Sequence, residues 1–255
     1  MLGAMIGDIV GSVYEFDNIK TKDFPLFRED CEFTDDTVMT IAVRNALKKY
    51  DEERDIQAFQ GFLVDEMQRL GRKFIYRGYG ERFAQWLLME EPEPYGSFGN
   101  GSAMRVSPVG EYASSLEEAL ILAKASAEVT HDHPEGIKGA QAVAAAVYLA
   151  RQNGWGKERI RKFIESEFYA LDFTLDEIRD TYTFDVSCQG SVPQALECFF
   201  EGKSFEDVIR NCISIGGDCD TIAAIAGGIA ESYYGIPEEI VEEAMKYLAM
   251  ISEEL

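Results

Sequence analysis

Apolar side chains recur at three- and four-residue spacing through TVMTIAVRNALKKY, IQAFQGFLVDEMQRL, ERFAQWLLMEE, LEEALILAKASAEV, GIKGAQAVAAAVYLARQ, KERIRKFIESEFYAL and EEIVEEAMKYLAMISEEL. That spacing gathers each apolar set onto one helical face, and no sustained period-two alternation competes with it. Helix punctuation falls where such segments need it. Asn153-Gly154 follows one, Gly235 and Pro237 separate the last two, and Ser115 and Ser204 stand at N-cap positions. No Gly/Ser-rich linker divides the chain. With 46% hydrophobic residues in 255, it can bury a large core. The expectation is an all-α fold, a single domain over residues 1–255 built as a compact orthogonal bundle of many helices.

Small residues form a second pattern. Gly3, Gly7 and Gly11 lie four apart, Gly136 and Gly139 precede an alanine run, and AAIAGGIAES keeps one helix face small. Glycine is a poor helix former, so close helix packing must compensate it, either as plain tight packing or around a site from which bulk is excluded. Residues 17–33 and 91–104 read as loops rich in the residue types that contact ligands.

Charge narrows the partners. Lys and Arg total 24 against 46 Asp and Glu, a formal net charge of -22, which repels nucleic acid and anionic membrane surfaces. The start, MLGAMIGDIVGS, lacks a basic segment and meets Asp8 early, and no stretch is long enough in apolar residues to span a bilayer, so a cytoplasmic protein is expected. The cysteines, Cys31, Cys188, Cys198, Cys212 and Cys219, contain no CxxC pair and read as packed, reduced thiols.

Against that excess of acid, FTDDT (33–37) sets two carboxylates side by side before an apolar run, and GGDCDT (216–221) does the same after two glycines. Each alone reads as a helix cap. If the fold brings them together, Asp35, Asp36, Asp218 and Asp220, with Thr34 and Thr221, make an all-oxygen cluster that repels itself unless hard cations sit within it. Two caps and one metal site are both open on spacing alone.

These motifs carry a resemblance. GAMIGDIVGSVYEF, FTDDTVMTIAV, GNGSAMRVSPVG, THDHPEGIKGAQAV and SIGGDCDTIAAIAGGIAESYYG, in this order, are similar to the ADP-ribosylglycohydrolase family over nearly the whole chain. The family includes dinitrogenase reductase-activating glycohydrolase and the ADP-ribosylarginine and ADP-ribosylserine hydrolases. The resemblance implies a central site for two Mg²⁺ ions, with Mn²⁺ as an alternative, held by Thr34, Asp35, Asp36, Asp218, Asp220 and Thr221. Cys219 stands where relatives often have Ser, and its side chain need not touch metal.

The same resemblance makes Glu15 the first candidate for the catalytic base, with Asp36 and Asp220 as alternatives. It places Gly99, Asn100, Gly101 and Ser102 in a loop that cradles a diphosphate, Met104 by the sugar, and His131 beside the phosphates. Phe98 or Tyr95 would stack on a base, and Arg105 would add positive charge. His131 and His133 lack a third nitrogen or sulfur ligand for zinc, and His133 fits a cap for the helix beginning at Pro134.

The implied reaction is hydrolysis of the glycosidic bond between ADP-ribose and an acceptor, either a protein side chain such as arginine or serine or a small molecule. Metals would orient the ribose and water while a carboxylate moves the proton. Open alternatives are a crystallin-like or purely ADP-ribose-binding relative, and a hydrolase of O-acetyl-ADP-ribose or a phosphodiester. The rim, residues 17–33 with TYTFDVSCQGS, where Phe184, Asp185 and Ser187 lie, would set the acceptor, which the sequence leaves unassigned along with oligomeric state.

Overall fold

The computed structural model describes residues 1–255, the side chain of Glu53 apart. Among the described residues the chain forms α1 (Leu2–Gly11), α2 (Asp35–Glu53), α3 (Ile56–Lys73), α4 (Glu81–Leu87), α5 (Gly101–Met104), α6 (Ser107–Tyr112) and α7 (Leu116–Glu128). The second half adds α8 (Pro134–Ala150), α9 (Lys157–Glu167), α10 (Leu175–Ile178), α11 (Cys188–Glu201), α12 (Phe205–Ile215), α13 (Cys219–Tyr234) and α14 (Glu238–Tyr247), then a 3₁₀ helix, Ala249–Glu254. The all-α expectation holds. The only ladder element among the described residues is an isolated antiparallel bridge between Gly99 and Ser187.

Local chemistry explains where the helices begin. Ser115 accepts from Glu118 N at 3.0 Å and Ser204 from Asp207 N at 3.1 Å. His133 caps α8 ahead of Pro134, its Nδ1 accepting from Glu135 N at 3.1 Å. Each such cap contributes about 1 kcal/mol. One expectation shifts and one helix was not read. Residues 101–104, read as loop, close into α5, and α11 is a full helix although Pro193 hides its periodicity from a sequence reading. All five cysteines are free and buried.

The core is organised around α13, buried from Cys219 to Ala230 and packed by α1, α8, α11 and α12. Each isoleucine buried there contributes about 1.5–3 kcal/mol. The partner that lies closest is α1. A methyl group on Gly3, Gly7 or Gly11 would strike Gly227, Ala223 or Asp220 respectively, so the helices meet backbone to backbone. This close approach is what the glycine spacing is for. It carries Asp8 of α1 and Asp220 of α13 to the same end of the core. No helix among the described residues is long and apolar enough to cross a membrane.

Candidate active site

The starts of α2 and α13 do meet. Thr221 Oγ1 donates to Asp36 Oδ2 at 3.2 Å across the two helices. Asp8, Asp36 and Asp220 offer oxygens within 4.8 Å of one another, and so do Glu15, Asp218 and Asp220, so the two triplets share Asp220. Asp35 belongs to neither triplet; it is half-buried on the pocket wall opposite Gly78.

Asp8 is the member that the sequence reading missed. Its Oδ2 accepts from Thr34 N at 2.9 Å and Thr37 N at 3.0 Å, and its Oδ1 accepts from Thr34 Oγ1 at 2.7 Å. An aspartate on α1 therefore satisfies the first turn of α2, and Thr34, the N-cap, spends its hydroxyl on Asp8 and Asp36 N. With that end capped from outside, Asp36 is released from capping. Its Oδ1 is buried and has no hydrogen-bond partner among the described residues.

The other acidic start is held by a clamp. Gly216 and Gly217 take φ of 67° and 78°, a left-handed turn that other residues enter with strain. Asn18 closes on that turn, accepting from Gly217 N at 2.7 Å and donating to Gly217 O at 3.0 Å and Glu15 O at 3.0 Å. The segment bearing Glu15 is thus tied to the turn that presents Asp218. Asp218 makes no side-chain cap to α13; its Oδ2 accepts from Asn100 Nδ2 at 2.6 Å.

Electrostatics follow from this packing. Burial, and then neighbouring carboxylates, hold Asp36 and Asp220 well above the usual carboxylate range. Burial also raises Asp8 and Asp218, opposed by their hydrogen bonds, and raises Asp35 together with the charge of Asp8. Glu15 is pushed up to about 7 by burial, then by Asp218 and Asp8. No lysine or arginine pairs with these carboxylates among the described residues. A buried, acceptor-only, all-oxygen cluster with an orphaned oxygen fits a hard divalent cation, and the absence of His and Cys donors disfavours softer ones.

Above the cluster opens a pocket of about 500 Å³, the size of a nucleotide-scale ligand site. Its walls include Glu15, Thr34, Asp35, Asp36, Asp218, Asp220 and Thr221, and also Gly99, Asn100, Gly101, Met104 and His131. The Gly99 wall is fixed by its pairing with residues 186–188, where Asn100 N donates to Val186 O at 2.7 Å and Cys188 N to Phe98 O at 2.9 Å. Asn100 turns its side chain to Ser191 and Asp218, and Ser102 turns its hydroxyl to Gly136 O at 2.7 Å, away from the pocket. At the mouth, Phe184 and Val186 line the opening, and Phe16 stacks on Phe184 with centroids 6.0 Å apart. Asp185 and Ser187 cap the start of α11.

The acidic starts of α2 and α13 are joined through α1, which caps α2 with Asp8 and packs its glycines on α13. A family model described as ADP-ribosylglycohydrolase matches residues 1–253. The chain is 26% identical to human ADP-ribosylhydrolase ARH3 over 317 aligned positions, covering 93% of this chain and 85% of that protein. It is 27% identical to the ADP-ribosylarginine hydrolase Tri1 of Pseudomonas putida, covering 100% of this chain and 76% of that one. A solved structure described as an ADP-ribosylglycohydrolase-related protein complex shares the fold at a TM-score of 0.68 and 23% identity, over 100% of this chain and 96% of that chain. Since the match runs from the first residue of α1, through both acidic starts, to the closing 3₁₀ helix, the chain belongs to the ADP-ribosylglycohydrolase family.

Proposed function

We propose that this protein is a metal-dependent hydrolase that cleaves the glycosidic bond between ADP-ribose and an acceptor, reversing ADP-ribosylation. The observation that carries the reading is the buried, uncompensated carboxylate cluster lining a pocket that Gly99, Gly101 and His131 also line. Family membership supports an ADP-ribosylated substrate, as do the two relatives, named as an ADP-ribosylhydrolase and an ADP-ribosylarginine hydrolase.

In this reading Asp36, Asp218 and Asp220 are the principal ligands of two Mg²⁺ ions, for which Mn²⁺ can substitute, with Thr34, Asp35 and Thr221 completing the set. Asp8, whose oxygens are all hydrogen-bonded, holds the start of α2 in place. When bound, the ions supply Lewis acidity to ribose hydroxyls and a reacting water.

The chain's own groups do the rest. Glu15, whose carboxylate lies within one triplet with Asp218 and Asp220, is placed to take a proton from water, with Asp36 and Asp220 as alternatives. As the bond to the acceptor breaks at C1 of the ribose, positive charge develops there, and the carboxylate-lined floor stabilises it. Gly99 and Gly101 let the diphosphate approach the backbone, His131 lies alongside, and Met104 packs by the sugar. The Phe16–Phe184 pair, beside Glu15 in sequence and at the pocket mouth, lies where the acceptor would leave.

The test is release of ADP-ribose from ADP-ribosyl-arginine and ADP-ribosyl-serine peptides, each with Mg²⁺ and with excess EDTA. Metal-dependent release from either names the acceptor class. A nucleoside monophosphate product would instead indicate diester cleavage, and ADP-ribose binding without turnover a binding protein.

A further inference from the structure

Arg105 is a buried cation with no carboxylate beside it. It is 1% exposed, and its Nη2 donates to Ser126 O and Thr130 Oγ1, both at 2.9 Å. Its Nε–H finds no acceptor among the described residues. In a chain of net charge -22, a desolvated guanidinium without a counter-charge is anomalous unless a ligand supplies one. Arg105 lines the same pocket as His131.

Thr130 connects the two. Its Oγ1 lies 2.6 Å from His131 Nδ1 and also receives the Arg105 bond. A guanidinium can only donate, so Thr130 accepts from it, and the single hydroxyl hydrogen remains to be placed. His131 Nδ1 is the one acceptor within its reach among the described residues. An Nδ1 that accepts leaves the hydrogen of a neutral imidazole on Nε2. That Nε2 lies 3.2 Å from where a side chain would begin on Gly101 and 3.6 Å from the equivalent point on Gly99. Burial, then the charge of Arg105, holds His131 well below the usual imidazole range, which keeps the ring neutral.

We propose that Arg105 and Thr130 are positioning residues that lock His131 as the Nε2–H tautomer, the form in which the ring donates to the diphosphate that the proposed function seats by Gly99 and Gly101. The ligand half rests on the proposed function; the tautomer half stands without it.

The chain has two histidines, so its ring ¹H–¹⁵N correlation spectrum is simple, and a His133→Asn variant assigns it. The wild-type spectrum should show His131 protonated on Nε2. Thr130→Val should move the proton to Nδ1 or mix the tautomers, and weaken ADP-ribose binding in calorimetry roughly ten-fold, the effect of a lost bond to a charged acceptor. Thr130→Ser should restore the tautomer fully and the affinity to within about two-fold. An Nδ1–H signal in the wild type overturns the relay even if Thr130→Val fails to fold. A tautomer and affinity untouched by a folded Thr130→Val do the same. A wild type that carries Nε2–H but binds no ADP-ribose overturns the ligand half together with the functional reading.

Discussion

Replacing Gly11 by Ala tests whether backbone contact between α1 and α13 builds the acidic site. The added methyl would lie 2.7 Å from Asp220 N and 2.8 Å from Asp220 Cβ, and nearer still to its Cα. Ordinary carbon contacts are about 3.5–4.0 Å, so the helices must part locally by about 1 Å. The obstacle is the main chain of a buried helix, which no change of rotamer relieves. Overpacking of this kind costs about 1–3 kcal/mol, offset by up to about 1 kcal/mol of helix propensity. A net loss of about 1–2 kcal/mol lowers Tm by roughly 2–8 °C in a chain of this size. Because the substitution separates Asp220 from Asp8 and Glu15, hydrolysis should fall further than stability, on the order of 100-fold for a 1 Å misplacement. Thermal unfolding by circular dichroism and the rate of ADP-ribose release measure the two effects. Gly61→Ala, on an exposed face of α3 with nothing nearby, is the control and should gain up to about 1 kcal/mol. A Gly11→Ala protein with wild-type Tm and rate would refute the packing argument.

Asp8→Ala leaves the buried start of α2 without the acceptor of Thr34 N and Thr37 N, and should lower stability by about 1–3 kcal/mol in urea unfolding, even without metal. The carboxylates of the cluster are raised in the folded state, so the metal-free fold binds more protons than the unfolded chain and loses stability as pH rises. In EDTA, calorimetric Tm should therefore fall as pH climbs from about 4, the unfolded carboxylate range, through the value of about 7 held by Glu15. Mg²⁺ should reverse that loss at pH 7.5, and a pH-independent Tm in EDTA would contradict the cluster's electrostatics. Asn18→Ala removes the tie between Glu15 and Gly217, and should reduce the hydrolytic rate with a smaller effect on ADP-ribose affinity.

Much of the site was legible because helix starts concentrate chemistry in short motifs: Asp36, Asp218 and Asp220 are adjacent to the glycines and threonines that mark them. Asp8 was not legible, since an aspartate inside a glycine-rich apolar helix caps a different helix, and only the fold reveals which. Asn18 and Thr130 escaped for the same reason; each acts on a partner set by tertiary packing. Asn100, read in a loop that cradles a diphosphate, lines the pocket and in addition donates to Asp218, and Ser102 turns its hydroxyl to Gly136, side-chain contacts that a turn motif does not encode. The helix α11 was obscured by Pro193, while the periodic helices such as α3 were plain in the sequence.

The central claim is that carboxylates from α2 and α13 together hold divalent cations. The most direct test is Mn²⁺ binding to the intact protein, followed by electron paramagnetic resonance, in the wild type and in an Asp36→Asn, Asp220→Asn double variant. Saturable binding approaching two ions per chain, lost in a variant whose helical circular dichroism is unchanged, is the predicted result. No binding by the wild type, or equal binding by the double variant, would contradict it.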